Sequence, residues 1–219
     1  LTMTLNPKAV WNDGTPIDAQ DWIATWKARN GSNAGFAAAD TTGWDQLTSV
    51  SAGADAFHVV LTFASTYPDW TGLVSGGPMR AEGVATPSAF NTGWASYPDS
   101  YFTGSFQVTA WNKASGVVTI APNPHWWGAP PLLTSITWKP MASEAMGAAF
   151  ANQEVDYVDI GPDVAAYTQA AAAANSAIRI GRTSDFRQFT FNSKAPNLAD
   201  VRVRQAIVMG LDRRQIAAS

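Results

Sequence analysis

Apolar residues recur in two rhythms along this chain, and the change from one to the other marks its elements. Trp22, Ile23 and Trp26 stand three and four apart, which places them on one face of a helix. Asp18 occupies the N-cap position, Asp21 follows three residues later where an acidic first-turn residue belongs, and Asn30-Gly31 ends the helix. Before it, Trp11-Asn12-Asp13-Gly14-Thr15-Pro16 reads as a turn, with Asp13-Gly14 supplying a permissive φ and Pro16 stopping strand pairing. From Phe57 the rhythm becomes two: Phe57, Val59, Leu61 and Phe63 alternate with His58, Val60 and Thr62, which predicts a strand with one buried face. Between Tyr67 and Ser100, Gly, Pro, Ser and Asp surround isolated aromatics, the composition of loops and short helical turns.

The second half predicts strands over residues 106–111 and 117–121, joined as a hairpin across residues 112–116, then a strand over 132–138. Ser143 caps a helix that carries Met146, Ala149 and Phe150. A strand over 154–160 leads through Gly161 into another helix, with Pro162 in its first turn and Asp163 in the position its dipole favours. Further strands are expected at 177–180 and 186–191, then a turn over 192–197 and a helix capped by Asp200 whose stripe Val203, Ala206, Ile207 should face inward. Gly210-Leu211-Asp212 breaks that helix and caps another. Strands alternating with helices of this length predict an α/β fold with crossover units and some parallel pairing.

Composition narrows the function. With 46% hydrophobic residues in 219, the chain can bury a core. Charged residues make up only 14% and the net charge is −3, so a nucleic-acid partner is not expected. Arg179, Arg182, Arg187, Arg202, Arg204, Arg213 and Arg214 gather late, but aspartates interrupt them, and they read as structural. With no cysteine, disulfides, thiolate metal sites and cysteine nucleophiles are excluded. No apolar run approaches the roughly 20 residues that a membrane helix needs. Ten tryptophans against two histidines favour binding over acid-base chemistry. The chain opens at Leu1 without a leader and stops soon after Asp212, which reads as a piece of a longer protein.

Candidate chemistry is sparse. No phosphate-cradling loop, dinucleotide fingerprint or nucleophile elbow occurs, and His58 and His125 lack partners at metal-ligand spacing, so no cofactor, metal or catalytic residue is expected. Glu154, Asp156, Asp159 and Asp163 form the one carboxylate series. Paired carboxylates could serve a secreted glycosidase, with Glu154 or Asp156 acting beside a tryptophan platform. Strand alternation, however, sends Asp159 to the face opposite Glu154 and Asp156, and Asp163 suits a helix cap, so the structural reading is favoured. Asp159 keeps interest because α/β folds bind ligands where a strand ends before a helix. Trp22 and Trp26 fit a core, and Trp126-Trp127 in their Pro-rich loop should pack against the neighbouring sheet.

Trp11 to Trp22, Thr103 to Phe106, Asn123 to Gly128, Phe150 to Asp156 and Phe191 to Arg213 are five segments that, in this order, resemble the extracytoplasmic solute-binding proteins of ABC importers, oligopeptide and dipeptide group (family 5). The turn Trp11-Asn12-Asp13-Gly14-Thr15-Pro16 followed by Asp18-Ala19-Gln20-Asp21-Trp22 is similar to the family's opening turn and helix. Thr103-Gly104-Ser105-Phe106 is similar to its G-[TS]-G-P-[YF] segment, with Ser105 where proline is usual. Asn123-Pro124-His125-Trp126-Trp127-Gly128 resembles its aromatic loop, and the stretch from Phe150 to Asp156 its helix-to-strand step. Phe191-Asn192-Ser193-Lys194-Ala195-Pro196, with Asp200-Val201-Arg202-Val203-Arg204-Gln205-Ala206-Ile207 and Leu211-Asp212-Arg213, resembles the family's crossing segment. The wording at Asp40 to Asp45 and at Asp159 to Asp163 looks most like actinobacterial members.

The resemblance implies a periplasmic-binding-protein-like α/β first lobe (type II, cluster C) with a mixed sheet and an inserted accessory α+β subdomain, the second lobe being largely missing. Residues 1–97 would be the accessory subdomain, 98–182 the lobe core, and 183–219 the hinge crossing and the start of the second lobe. It further implies a non-catalytic protein that grips a peptide, or another solute such as a nickel chelate or a sugar, and presents it to an ABC permease in the membrane. The setting would be extracytoplasmic, periplasmic or cell-surface, with a lipid anchor on the complete protein. Peptide contacts would map to Arg187, Gln188, Phe189 and Thr190, with Asp159 and Gly161 behind them. A lobe without its partner should leave apolar surface uncovered, so self-association of this piece is expected.

Overall fold

The computed structural model describes residues 1–161, 163–181 and 188–218. Its contacts group the chain into two units, Leu1–Ala142 and Ser143–Ser219.

The first unit begins with the expected turn and helix. Helix α1 (Ala19–Arg29) starts at Asp18, whose side chain accepts from the Gln20 amide at 2.7 Å. Asp21 reaches back to the Asp18 amide at 3.3 Å and completes a capping box, so the local sequence alone fixes where the helix begins. One face of α1 lies on an antiparallel sheet of order β1-β3-β2, made of β1 (Thr2–Thr4), β2 (Leu47–Ala52) and β3 (His58–Phe63). Ala19 and Trp22 pack there with Trp44, Leu47, Val50, Val59 and Leu61 in the largest buried cluster. The alternation in β3 is as read from sequence, with Val59 and Leu61 fully buried. Strands β1 and β2 had no comparable signal: β1 is three residues long, and β2, Leu-Thr-Ser-Val-Ser-Ala, carries a register shift after Leu47. Short helices α2 (Trp70–Ser75) and α3 (Pro87–Thr92) and several single turns fill the loop-rich stretch that follows.

A second antiparallel sheet has order β4-β5-β6, from β4 (Phe106–Asn112), β5 (Val117–Pro122) and β6 (Ile136–Trp138). The β4–β5 hairpin forms as expected, its turn closed by the Asn112 side chain, which accepts from the Ala114 and Ser115 amides at 3.0 and 3.1 Å. Gly116 holds φ +72 there, and an added Cβ would lie 2.9 Å from the Pro140 ring. Strand β6 covers only the end of the expected 132–138 strand, because its pairing with β5 runs from Ile136 to Trp138. Trp127 is exposed and lies against Trp126 with ring centroids 4.8 Å apart and the planes tilted by 40°. Trp126 is half-buried, and its Nε1 donates to the Ala129 carbonyl within the same loop at 2.9 Å.

In the second unit, α4 (Ser143–Ala151) and α5 (Val164–Ala172) pack through small residues, Ala149, Ala166 and Ala170 being buried. Asp163 is the N-cap of α5, accepting from the Ala166 amide at 2.9 Å. Asp200 caps α6 (Val201–Met209) through the Arg202 amide at 2.8 Å, and Asp212 accepts from the Arg214 and Gln215 amides at the start of α7 (Arg213–Ala218).

Three expectations fail here. Residues 154–160 and 177–180 form no strand, and neither do 188–191, the described part of the 186–191 segment. All strand pairs among the described residues are antiparallel, so the expected parallel pairing is not seen. Alternation provides a two-faced segment, but a strand exists only when a neighbouring edge takes up its amides and carbonyls, and no strand lies beside these segments among the described residues. The stripe Val203, Ala206, Ile207 is exposed, and α6 buries no residue. Pro162, Arg182, Phe186 and Arg187 lie outside the described residues.

Candidate ligand-binding segments

The motif residues of the first unit converge on a buried polar latch. Arg80 is buried, and its Nη1 donates to both carboxylate oxygens of Asp13 at 2.9 Å and to the Ser100 carbonyl at 2.9 Å. Its guanidinium also lies 5.9 Å from the centre of the Trp11 ring. The hydrogen bonds from Arg80 hold the Asp13 carboxyl well below the usual carboxylate range, at about 2. Next to this pair, the buried Asp21 carboxylate accepts from Trp11 Nε1 at 3.0 Å and from the Ala81 amide at 2.8 Å. Burial pushes the Asp21 carboxyl up, against the pull of those hydrogen bonds.

A second branch ties the turn to the hairpin region. Asn123 Nδ2 donates to Asn12 Oδ1 and to the Gly104 carbonyl, each at 2.9 Å, and Asn12 Nδ2 donates to Asp99 at 3.1 Å. Thr103 Oγ1 donates to the Val10 carbonyl at 2.7 Å. The segments at Trp11, Thr103 and Asn123 therefore meet as one structural node, every donor and acceptor named here being engaged within the protein. Sequence reading missed Arg80, whose one signal is that it is the single basic residue in the loop-rich stretch from Tyr67 to Ser100.

Of the residues expected to contact ligand, Asp159, Gly161, Gln188, Phe189 and Thr190 are described, and all five lie in the second unit and are open to solvent. Asp159 is exposed, and its Oδ1 accepts from the Gly161 amide at 3.1 Å. Gly161 has φ +54, in the left-handed region that favours glycine, and a Cβ there would meet nothing within 4 Å. Gln188, Phe189 and Thr190 are exposed, Phe189 at 69%, and Gln188 Nε2 donates to Thr190 Oγ1 at 3.4 Å. Among the described residues, no backbone hydrogen bond engages these three, and none of any kind links them to Asp159 or Gly161. The structure thus displays two separate segments. The alternative carboxylates, Glu154 and Asp156, are exposed beside a turn, and Asn152 Nδ2 donates to Glu154 at 3.5 Å.

Comparison with known proteins decides the class. The family described as bacterial extracellular solute-binding proteins, family 5, middle region, matches residues 1–219. The chain belongs to that family. A curated relative, the oligopeptide-binding protein OppA of Mycobacterium tuberculosis, is 37% identical over 99% of this chain and 37% of its own length. A second, the probable monoacyl phosphatidylinositol tetramannoside-binding protein LpqW of the same species, is 29% identical over 100% of this chain and 34% of its own. Among solved structures, NikZ of Campylobacter jejuni, in complex with Ni(L-His), superposes with TM-score 0.82 at 21% identity, over 98% of this chain and 42% of that one. The fold is accordingly that of a family 5 solute-binding protein, mixed α/β with small sheets, and the chain spans a little over a third of the length of its first curated relatives.

Proposed function

We propose that this chain is part of an extracytoplasmic oligopeptide-binding protein that delivers peptides to an ABC permease and carries out no chemistry on them. The observation that carries the reading is the 37% identity to the mycobacterial oligopeptide-binding protein across 99% of the chain. In this reading residues 1–97 are an accessory subdomain, 98–182 the core of the first lobe, and 183–219 the crossing toward the second, with a lipid anchor on the complete protein. Arg187, Gln188, Phe189 and Thr190 present backbone groups to the peptide main chain, while Asp159 and Gly161 border the same site. The backbone at 188–190, which makes no hydrogen bond among the described residues, supports this, because an extended peptide binds by supplying partners to such a segment. Calorimetry of the full-length protein with a mixed peptide library should give heat that saturates; no heat from any peptide would refute the proposal.

A second reading keeps the class and changes the solute to a glycolipid, a sugar or a nickel chelate. The 29% identity to the mycobacterial tetramannoside-binding protein over the whole chain favours the first of these. Intrinsic fluorescence against a solute panel separates the readings, since only one class of ligand should quench.

A further inference from the structure

The end of helix α1 carries a chemically reactive pair of residues. Asn30 is the one asparagine of the chain that is followed by glycine. It is the C-cap of α1, and its amide still donates to the Trp26 carbonyl at 2.9 Å. Gly31 follows in the left-handed region, at φ +77, and a Cβ there would lie 3.3 Å from the Thr41 methyl group. Glycine is therefore what the fold needs to end this helix. The same choice leaves the Gly31 nitrogen with no side chain to shield it, at an exposed position.

The hydrogen bonds single out this pair. The Asn30 side-chain oxygen accepts from the Ser32 amide at 2.9 Å, which folds the side chain over the peptide between residues 30 and 31. Asn33 and Asn192 make the same turn, accepting from the Gly35 and Lys194 amides. Their own backbone carbonyls are tied down, accepting from the Phe36 and Ala195 amides at 3.1 and 3.0 Å. At Asn30 that tether is missing: among the described residues, neither its carbonyl nor the Gly31 amide makes a hydrogen bond. The peptide plane can thus turn until the Gly31 nitrogen meets the Asn30 side-chain carbon. Asp13-Gly14, the one aspartate followed by glycine, is held instead. Its carboxylate is bound by Arg80, and the Gly14 amide donates to the Trp11 carbonyl at 2.8 Å.

We propose that Asn30 is a site of spontaneous deamidation, through a cyclic imide formed with Gly31. The Gly31 nitrogen bonds to the Asn30 side-chain carbon, the carbon–nitrogen bond of the side-chain amide breaks, and the displaced proton leaves on ammonia by way of water. Water then opens the imide at either carbonyl. One opening leaves aspartate, which keeps an oxygen for the Ser32 amide; the other leaves isoaspartate, which lengthens the main chain by a carbon and breaks that turn.

The test holds the full-length protein, folded, in mildly alkaline buffer and digests samples at acid pH, where the reaction stalls. Mass spectrometry should find the amide-to-acid mass gain at residue 30, in aspartate and isoaspartate forms that separate by chromatography. Asn30 should convert about tenfold faster than Asn33 or Asn192, equivalent to about 1.4 kcal/mol in barrier. Asn30→Gln, whose longer side chain would have to close a larger ring, should lose the mass gain at that position. An Asn30 left intact in the folded protein would overturn the proposal, and its conversion in urea would then show that the fold shields the pair. Conversion no faster than at Asn33 and Asn192, or a mass gain that persists at that position in Asn30→Gln, would overturn it too.

Discussion

Replacing Arg80 with methionine removes the guanidinium while keeping most of the aliphatic stem, and so tests whether the polar latch holds the first unit together. The Arg80 side chain is 7% exposed and that of Asp13 37%, so the pair is half shielded. Lowering the Asp13 carboxyl from its ordinary 3.8 to about 2 corresponds to about 2.4 kcal/mol at full strength. Solvent screening at this exposure reduces the pair to about 1 kcal/mol. The Ser100 carbonyl loses a charge-assisted donor at 2.9 Å, worth about another 1 kcal/mol. The expected loss is therefore about 2 kcal/mol, below the 3–5 typical of a fully buried pair because Asp13 keeps access to water.

Tryptophan fluorescence during urea unfolding is the suitable assay, since all ten tryptophans lie in the Leu1–Ala142 unit and report on it alone. The pH dependence gives a second check. A carboxyl lowered in the folded state stabilises above its ordinary value, and that contribution disappears as pH falls from 3.8 through about 2. Arg80→Met should lose that segment of the stability curve. A change in stability under about 0.5 kcal/mol, or an unchanged acid limb, would refute the latch.

Asp21→Ala leaves the Trp11, Ala81 and Asp18 N–H groups without their acceptor and should cost about 3 kcal/mol by the same fluorescence assay. Because burial raises the Asp21 carboxyl, its contribution to stability is greatest below the ordinary carboxylate value and declines as pH rises through the raised one, a decline the variant should lack. In the second unit, a Cβ on Gly147 would lie 2.8 Å from the Ala166 Cα and 3.0 Å from its carbonyl oxygen. Gly147→Leu should therefore separate α4 from α5 at a cost of about 1–3 kcal/mol, visible as lost hydrogen-exchange protection in both helices. Phe189→Ala, at an exposed position, should leave the melting curve unchanged and weaken peptide binding about tenfold by calorimetry; unaltered affinity would remove Phe189 from the site.

Elements whose information is local were legible in the sequence. The caps at Asp18, Asp163, Asp200 and Asp212, the Asn112 turn and the alternation of β3 each depend on neighbours within a few residues, where residue type and spacing nearly settle the conformation. The family could be read for the same reason, because its motifs are short. What those motifs do could not: Trp11 to Pro16, Thr103-Gly104 and Asn123 turned out to brace one another through side chains 87 to 111 positions apart, with Arg80 reaching Asp13 across 67. Strand status was likewise decided in three dimensions. Leu47 to Ala52 gained a ladder from β3, whereas residues 154–160, with a more regular alternation, pair with no strand among the described residues. A strand's hydrogen bonds belong to two segments at once, so the pattern of one segment fixes its faces, and the tertiary structure alone fixes its partner.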